Sequence, residues 1–210
     1  MIPKTIQQKL DEGRSYRSVV EIRIAQEQEG MIVEGYATTF NEPYVLWADD
    51  EYEISEQISD RAFDHTDMSD VIMQYDHAGR VFARTSNGTL ELATDGHGLH
   101  VRADLGGTEI GRQLYEEIKG GFTSKMSFGF TVESDERLIA NEDGKTTVLR
   151  TITGIRKLYD VSAVSLPANN ATEISARSWC EGVIAKAAEE RRKKEARDRH
   201  AKKIKILMEV

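Results

Sequence analysis

Residues 71–105 read VIMQYDHAGRVFARTSNGTLELATDGHGLHVRADL. Four short runs of strand-forming residues lie in this stretch, at 71–75, 80–84, 89–94 and 99–105. Turn formers separate them: Gly79 after the first, Asn87-Gly88 between the second and third, and Asp95-Gly96 before the fourth. Short strands joined by Gly-containing turns belong to a curved antiparallel sheet or barrel, because a βαβ unit needs a helix-length connection between its strands. Upstream, Val20, Ile22 and Ile24 alternate with charged residues, the period of a half-buried strand, and 31–40 reads as its hairpin partner across Gly30. Residues 41–52 read as a loop and 53–58 as a short strand, after which Ser59 or Asp60 can cap a turn carrying Ala62 and Phe63.

Downstream, 108–119 is the clearest helix of the body. Thr108 can cap it, Ile110, Leu114 and Ile118 form one apolar stripe, and Gly120-Gly121 ends it. Strand patterns return at 125–133, 147–155 and 158–166, with a polar excursion at 138–145 and Pro167 closing the last. The expected fold is α+β and mainly β: a mostly antiparallel, barrel-like sheet with a few peripheral helices and a C-terminal helical tail. The expected division is an N-terminal arm at 1–17, one domain at 18–178 and a basic helical or disordered tail at 179–210.

Composition excludes several functions. The 210 residues suffice for one well-filled core. The single Cys180 rules out an internal disulfide framework and a cysteine-built zinc cluster. No run approaches the roughly 20 apolar residues that span a bilayer. The polar stretch 1–14 has no apolar signal-peptide centre, which points to a reducing cytoplasm. The net charge of -8 is unevenly spread: 186–210 holds 10 Lys/Arg against 5 Asp/Glu, so the rest carries -13. An acidic body does not hold a nucleic-acid backbone, which needs clustered cations, and direct nucleic-acid or membrane binding is not expected.

Three places pair a reactive side chain with a strand-end setting. His77 follows the apolar run 71–75 and precedes Gly79, which puts it at a sheet edge or mouth, where a histidine can titrate near neutrality; a surface histidine in a turn has the same pattern. In 125–130, alternation sets Met126, Phe128 and Phe130 on one face and Ser127 and Gly129 on the other, leaving room beside Ser127 for a substrate backbone. Asp160 opens the apolar run 160–166 and shares a face with Ser162 and Val164, from which a carboxylate can orient an imidazole. Serine is a poor nucleophile without a base in hydrogen-bond reach, and that base gains from an orienting acid. The chain supplies His, Ser and Asp on three separate strands.

At these residues the chain resembles the prohead maturation proteases of tailed bacteriophages. The shared segments are 34–40 (EGYATTF), 61–63 (RAF), Tyr75-Asp76-His77, 98–101 (GLHV), 127–130 (SFGF), 160–162 (DVS) and 167–169 (PAN), covering roughly 34–176. The resemblance implies a serine endopeptidase of the herpesvirus assemblin-like fold, cutting scaffold or capsid-protein segments, and itself, inside an immature capsid in the host bacterial cytoplasm. It makes Ser127 the nucleophile, His77 the general base and Asp160 the orienting acid. The family more often has Glu at the third position and the herpesvirus relatives a second histidine, so His97 and His100 stay as alternatives. Arg61 stands where the family has Gly, which affects a turn. The turn 166–170 is the candidate source of oxyanion donors. The major capsid or scaffold protein is then the substrate partner, a homodimer is expected by analogy, and no cofactor is called for.

Two other readings compete. A metal hydrolase built from His65, His77, His97 and His100 lacks a His-Glu-x-x-His helix. A catalytically silent capsid-assembly module would use the sheet as scaffold and the tail for docking. The basic tail is read either as a solvated end or as a packaging signal that docks to an acidic partner surface and is later removed. Cys180, beside Trp179, reads as a structural thiol.

Overall fold

The computed structural model describes residues 4–25, 30–142, 144–165 and 170–208. In chain order its elements are α1 (Lys4–Asp11), β1 (Ser15–Ile24), β2 (Ile32–Thr39), β3 (Tyr44–Ala48), β4 (Tyr52–Ile58), β5 (Ile72–Tyr75), β6 (Ala78–Arg84), β7 (Leu90–Thr94), β8 (Gly98–Asp104), α2 (Glu109–Lys119), β9 (Lys125–Glu142), β10 (Lys145–Val164) and α3 (Asn170–Met208). All ten strands join one sheet. Its main path runs β3-β4-β10-β9-β1-β2-β8-β7, with the β5–β6 hairpin attached to β10.

The fold class is α+β and mainly β, as the turn spacing indicates, but the barrel is corrected. The sheet is open, with β3 and β7 at the ends of the path, and it is mixed. β10 runs parallel to β4 over 146–152 and parallel to β5 over 160–163, while pairing antiparallel with β9 along its other edge. These parallel pairings join segments about 90 residues apart, beyond the reach of any local turn signal. Register shifts between Ile152 and Asp160 mark where β10 exchanges one parallel neighbour for the other. They also account for its sequence resembling two strands.

Other differences have equally local causes. The 138–145 excursion is the outer half of the β9–β10 ribbon, where neither face is buried and hydrophobic alternation therefore disappears. The expected loop at 41–52 contains the edge strand β3, paired with β4. Asn87-Gly88 turns the chain through a 3-10 turn with Gly88 at φ +75, but closes no hairpin: β6 returns to β5 and β7 goes on to β8. Asp95-Gly96 does join a hairpin, β7–β8. In α2, the Thr108 hydroxyl accepts from Gly111 N–H at 3.1 Å, and Leu114 and Ile118 enter the core.

The segment expected as an arm is partly built into the sheet. β1 begins at Ser15, and Tyr16 and Arg17 are buried against β9. Arg17 tolerates burial because Glu56 meets its guanidinium at 2.5 and 3.0 Å. Arg150 and the Tyr44 hydroxyl donate to the same carboxylate at 2.8 and 2.6 Å, and Arg150 also holds Asp135 at 2.7 Å. The Trp179 ring covers Arg150, 4.5 Å away. Likewise α3 runs unbroken through Trp179, burying Cys180 and Val183 against Ile54 and Val148 before its exposed part begins. Among the described residues no helix is long and apolar enough to cross a membrane.

Candidate active site

Ser127 sits in the middle of three paired strands, opposite Ser18 on β1 and Ser162 on β10. Met126, Phe128 and Phe130 face the main core, as alternation requires. The other face, carrying Ser127 and Gly129, is also covered. His77 reaches it from the β5–β6 hairpin, where Tyr75 pairs with Ala78 and Asp76 and His77 form the turn. Both turn residues take positive φ, +48 and +58, as two-residue hairpin turns with the proper twist demand. Without glycine each costs on the order of 1 kcal/mol, so the surroundings must impose the conformation. They do so from two sides: Asp76 N–H donates to Ala163 O at 3.0 Å, and Lys9 Nζ donates to His77 O at 2.8 Å. His77 is wholly buried rather than sitting in an open mouth.

The turn lowers the imidazole between two partners. Nδ1 lies 2.5 Å from Asp160 Oδ1 and Nε2 lies 2.6 Å from Ser127 Oγ. Asp160 Oδ1 also accepts from the Ser162 hydroxyl at 2.9 Å. Burial works to raise the Asp160 carboxyl, but the charge and hydrogen bond of His77 and the Ser162 hydroxyl outweigh it and hold it below the ordinary carboxylate value. An ionised Asp160 keeps the imidazole hydrogen on Nδ1, which turns the Nε2 lone pair toward Ser127. Ser127 Oγ is also 2.7 Å from Arg17 O, so its single hydrogen serves either acceptor in turn. The Tyr16 ring packs on the imidazole at 4.4 Å. Burial, with the Asp160 charge second, pushes the Tyr16 phenol above its usual value.

Gly129 plays a different part from the one its position suggests. A Cβ there would fall 2.4 Å from Asp160 Oδ2 and 2.7 Å from Tyr16 Cε1. The space beside Ser127 that reads as room for a substrate is therefore filled by Asp160 and Tyr16. A hydroxyl, an imidazole and a buried carboxylate in hydrogen-bonded sequence form a set able to generate a nucleophile at neutral pH.

The family description Caudovirus prohead serine protease matches residues 18–209. The chain belongs to that family. No curated protein and no solved structure matches it. In this prohead protease the three sequence candidates, His77, Ser127 and Asp160, are brought together. His97 and His100 are not with them: both pack against the Tyr36 ring, 4.5 and 5.2 Å between centroids, and His65 is exposed in its turn. Among the described residues no group of His, Cys, Asp and Glu is placed to hold a metal ion. The turn 166–169 lies outside the described residues, and Asn170 starts α3. Sequence reasoning missed Lys9, Tyr16 and Arg17, which precede the family match, together with the Glu56 and Arg150 network. The one available hint was the Tyr-Arg pair just ahead of the alternating run.

Proposed function

We propose that this prohead protease is a serine endopeptidase in which Ser127 is the nucleophile, His77 the general base and Asp160 the orienting acid. The observation that carries this reading is the unbroken chain of short contacts Asp160–His77–Ser127, at 2.5 and 2.6 Å, on one face of the sheet. Ser127 Oγ attacks the peptide carbonyl carbon while His77 Nε2 takes its proton, and Asp160 faces the imidazolium that forms. The C–N bond then breaks as Nε2 returns the proton to the leaving amine, leaving an acyl ester on Ser127. Water repeats the sequence, with His77 again the base, and frees the carboxylate product and the serine. Each backbone donor to the oxyanion contributes about 2.7–4 kcal/mol.

The substrates in this reading are the capsid protein or its scaffold, and the protease itself, cut inside the assembling prohead in the host cell. A homodimer and kinship with the herpesvirus assemblins belong to the same reading and rest on the resemblance, and the division into arm, domain 18–178 and basic tail rests on composition and charge. Co-expression of the wild type and Ser127→Ala with the candidate capsid protein tests it, by following fragment masses of both proteins. Processing should stop in Ser127→Ala. Unchanged processing would leave a silent assembly module.

A further inference from the structure

Ser127 and His77 expose 0% of their surface and Asp160 1%. Attack requires a peptide carbonyl within about 3–3.5 Å of the serine oxygen, and a polypeptide cannot reach that position in this conformation. Three contacts with the site come from a single stretch of chain. The Arg17 carbonyl accepts from Ser127 Oγ, the Tyr16 ring lies on the imidazole, and Lys9 reaches from α1 to the His77 carbonyl. The first contact does more than block the approach. While the hydroxyl hydrogen points at Arg17 O, it is withheld from Nε2, where the reaction must send it.

We propose that Lys4–Arg17 is an intramolecular latch that keeps an assembled catalytic site shut, and that the site opens when α1 lifts and releases Lys9 from the His77 carbonyl. The consequence for catalysis rests on the function proposed above; the latch itself is a matter of access. The construction suits movement. α1 has eight residues, too few to be stable away from the body, and a turn with Gly13 at φ +80 joins it to β1. Pairing of β1 changes along its length: 15–21 is held by β9 and 22–24 by β2, with a register shift between Ser18 and Val20. α1 and the turn after it lie outside the sheet and can loosen while β1, anchored by the Arg17–Glu56 pair, stays in place. Lys9 holds the turn through a half-buried, charge-assisted hydrogen bond, a tether of modest strength.

Access and chemistry are read separately in the full-length chain. Ser127→Cys places a thiol at the site, and its alkylation by iodoacetamide under native conditions measures opening alone. Cys180 is silent in this assay, since it is fully buried and burial pushes its thiol up to about 11. Alkylation should be slow with Lys9 present. It should accelerate about tenfold or more with Lys9→Met, the ratio expected on losing one charge-assisted hydrogen bond, and return to the slow rate with Lys9→Arg. Fluorophosphonate labelling of the native Ser127 should follow the same order. Equal alkylation rates with Lys9 and with Lys9→Met overturn the latch. Faster alkylation with no fluorophosphonate labelling of Ser127 in any form upholds the latch and overturns the hydrolase reading.

Discussion

Gly129→Ala isolates the geometry of the candidate site from its chemistry, because it adds one methyl group and removes no functional atom. Gly129 lies in regular β9 and is absent from the positive-φ glycines, so the backbone accepts alanine without strain. The added carbon would stand 2.4 Å from Asp160 Oδ2, 2.7 Å from Tyr16 Cε1 and 3.2 Å from Asp160 Cγ, against ordinary contact from 3.4 Å upward. The carboxylate must withdraw by about 1 Å, yet it is fixed by His77 at 2.5 Å and by Ser162 at 2.9 Å. Tyr16 cannot yield freely either, being fully buried between Gly129 and His77. Overpacking of this kind costs about 1–3 kcal/mol, less a few tenths for alanine's better fit to a strand. A 1 Å displacement in the hydrogen-bonded set costs about a hundredfold in rate. The variant should therefore remain folded, with a urea midpoint only modestly lowered, while capsid-protein processing falls about a hundredfold in a time course of fragment masses. Processing within threefold of the wild type, in a protein of unchanged stability, would refute the claim that Asp160 must stand where it does.

Asp160→Asn keeps the shape but lets the imidazole take the wrong tautomer; processing should fall about 10³–10⁴-fold with the fold intact, and a loss below tenfold would remove Asp160 from the catalytic set. Glu56→Gln removes the buried carboxylate that meets both Arg17 and Arg150 and should cost about 3–5 kcal/mol in urea unfolding, whereas a loss under 1 kcal/mol would show that the network is not needed. For Glu56, burial acts to raise the carboxyl, but the charge of Arg17 leads the opposing effects and leaves it lowered; Asp160 is lowered as well. As pH falls, the unfolded chain thus binds protons before the folded one, so stability should be flat above about pH 5 and drop toward pH 3. Glu56→Gln should shrink that drop, and a rise in stability on acidification would contradict the sign of both shifts.

Much of this site is written locally. Alternation in 125–130 separates Ser127 from the core-facing Met126, Phe128 and Phe130, and the apolar run 71–75 places His77 at a strand end, although the turn falls on Asp76-His77 and Gly79 lies inside β6. Thr108 and Gly120 bracket α2 with capping chemistry that works over three or four residues. The β9–β10 ribbon tip was illegible for the opposite reason: 133–142 buries neither face, so its residues carry no pattern to read. Arg17 was illegible because an arginine looks like surface until Glu56, 39 residues away, is brought to it.

Alternation, turn signals and short motifs sufficed for a mainly β chain, the strand that carries Ser127, a strand-end His77 and the family to which the chain belongs. Strand pairing settled which residue meets the His77 imidazole, because Asp160, His97 and His100 all sit on or beside strands and differ only in where those strands lie. Tertiary contacts also leave the sheet open and mixed, and lay Tyr16 and Arg17 against His77 and the Ser127 hydroxyl. The physical reason is common to all three. Periodicity and capping act within a few residues, whereas strand pairing and burial depend on which distant surfaces win the contact, as β5 does on β10 and β1 does on β9.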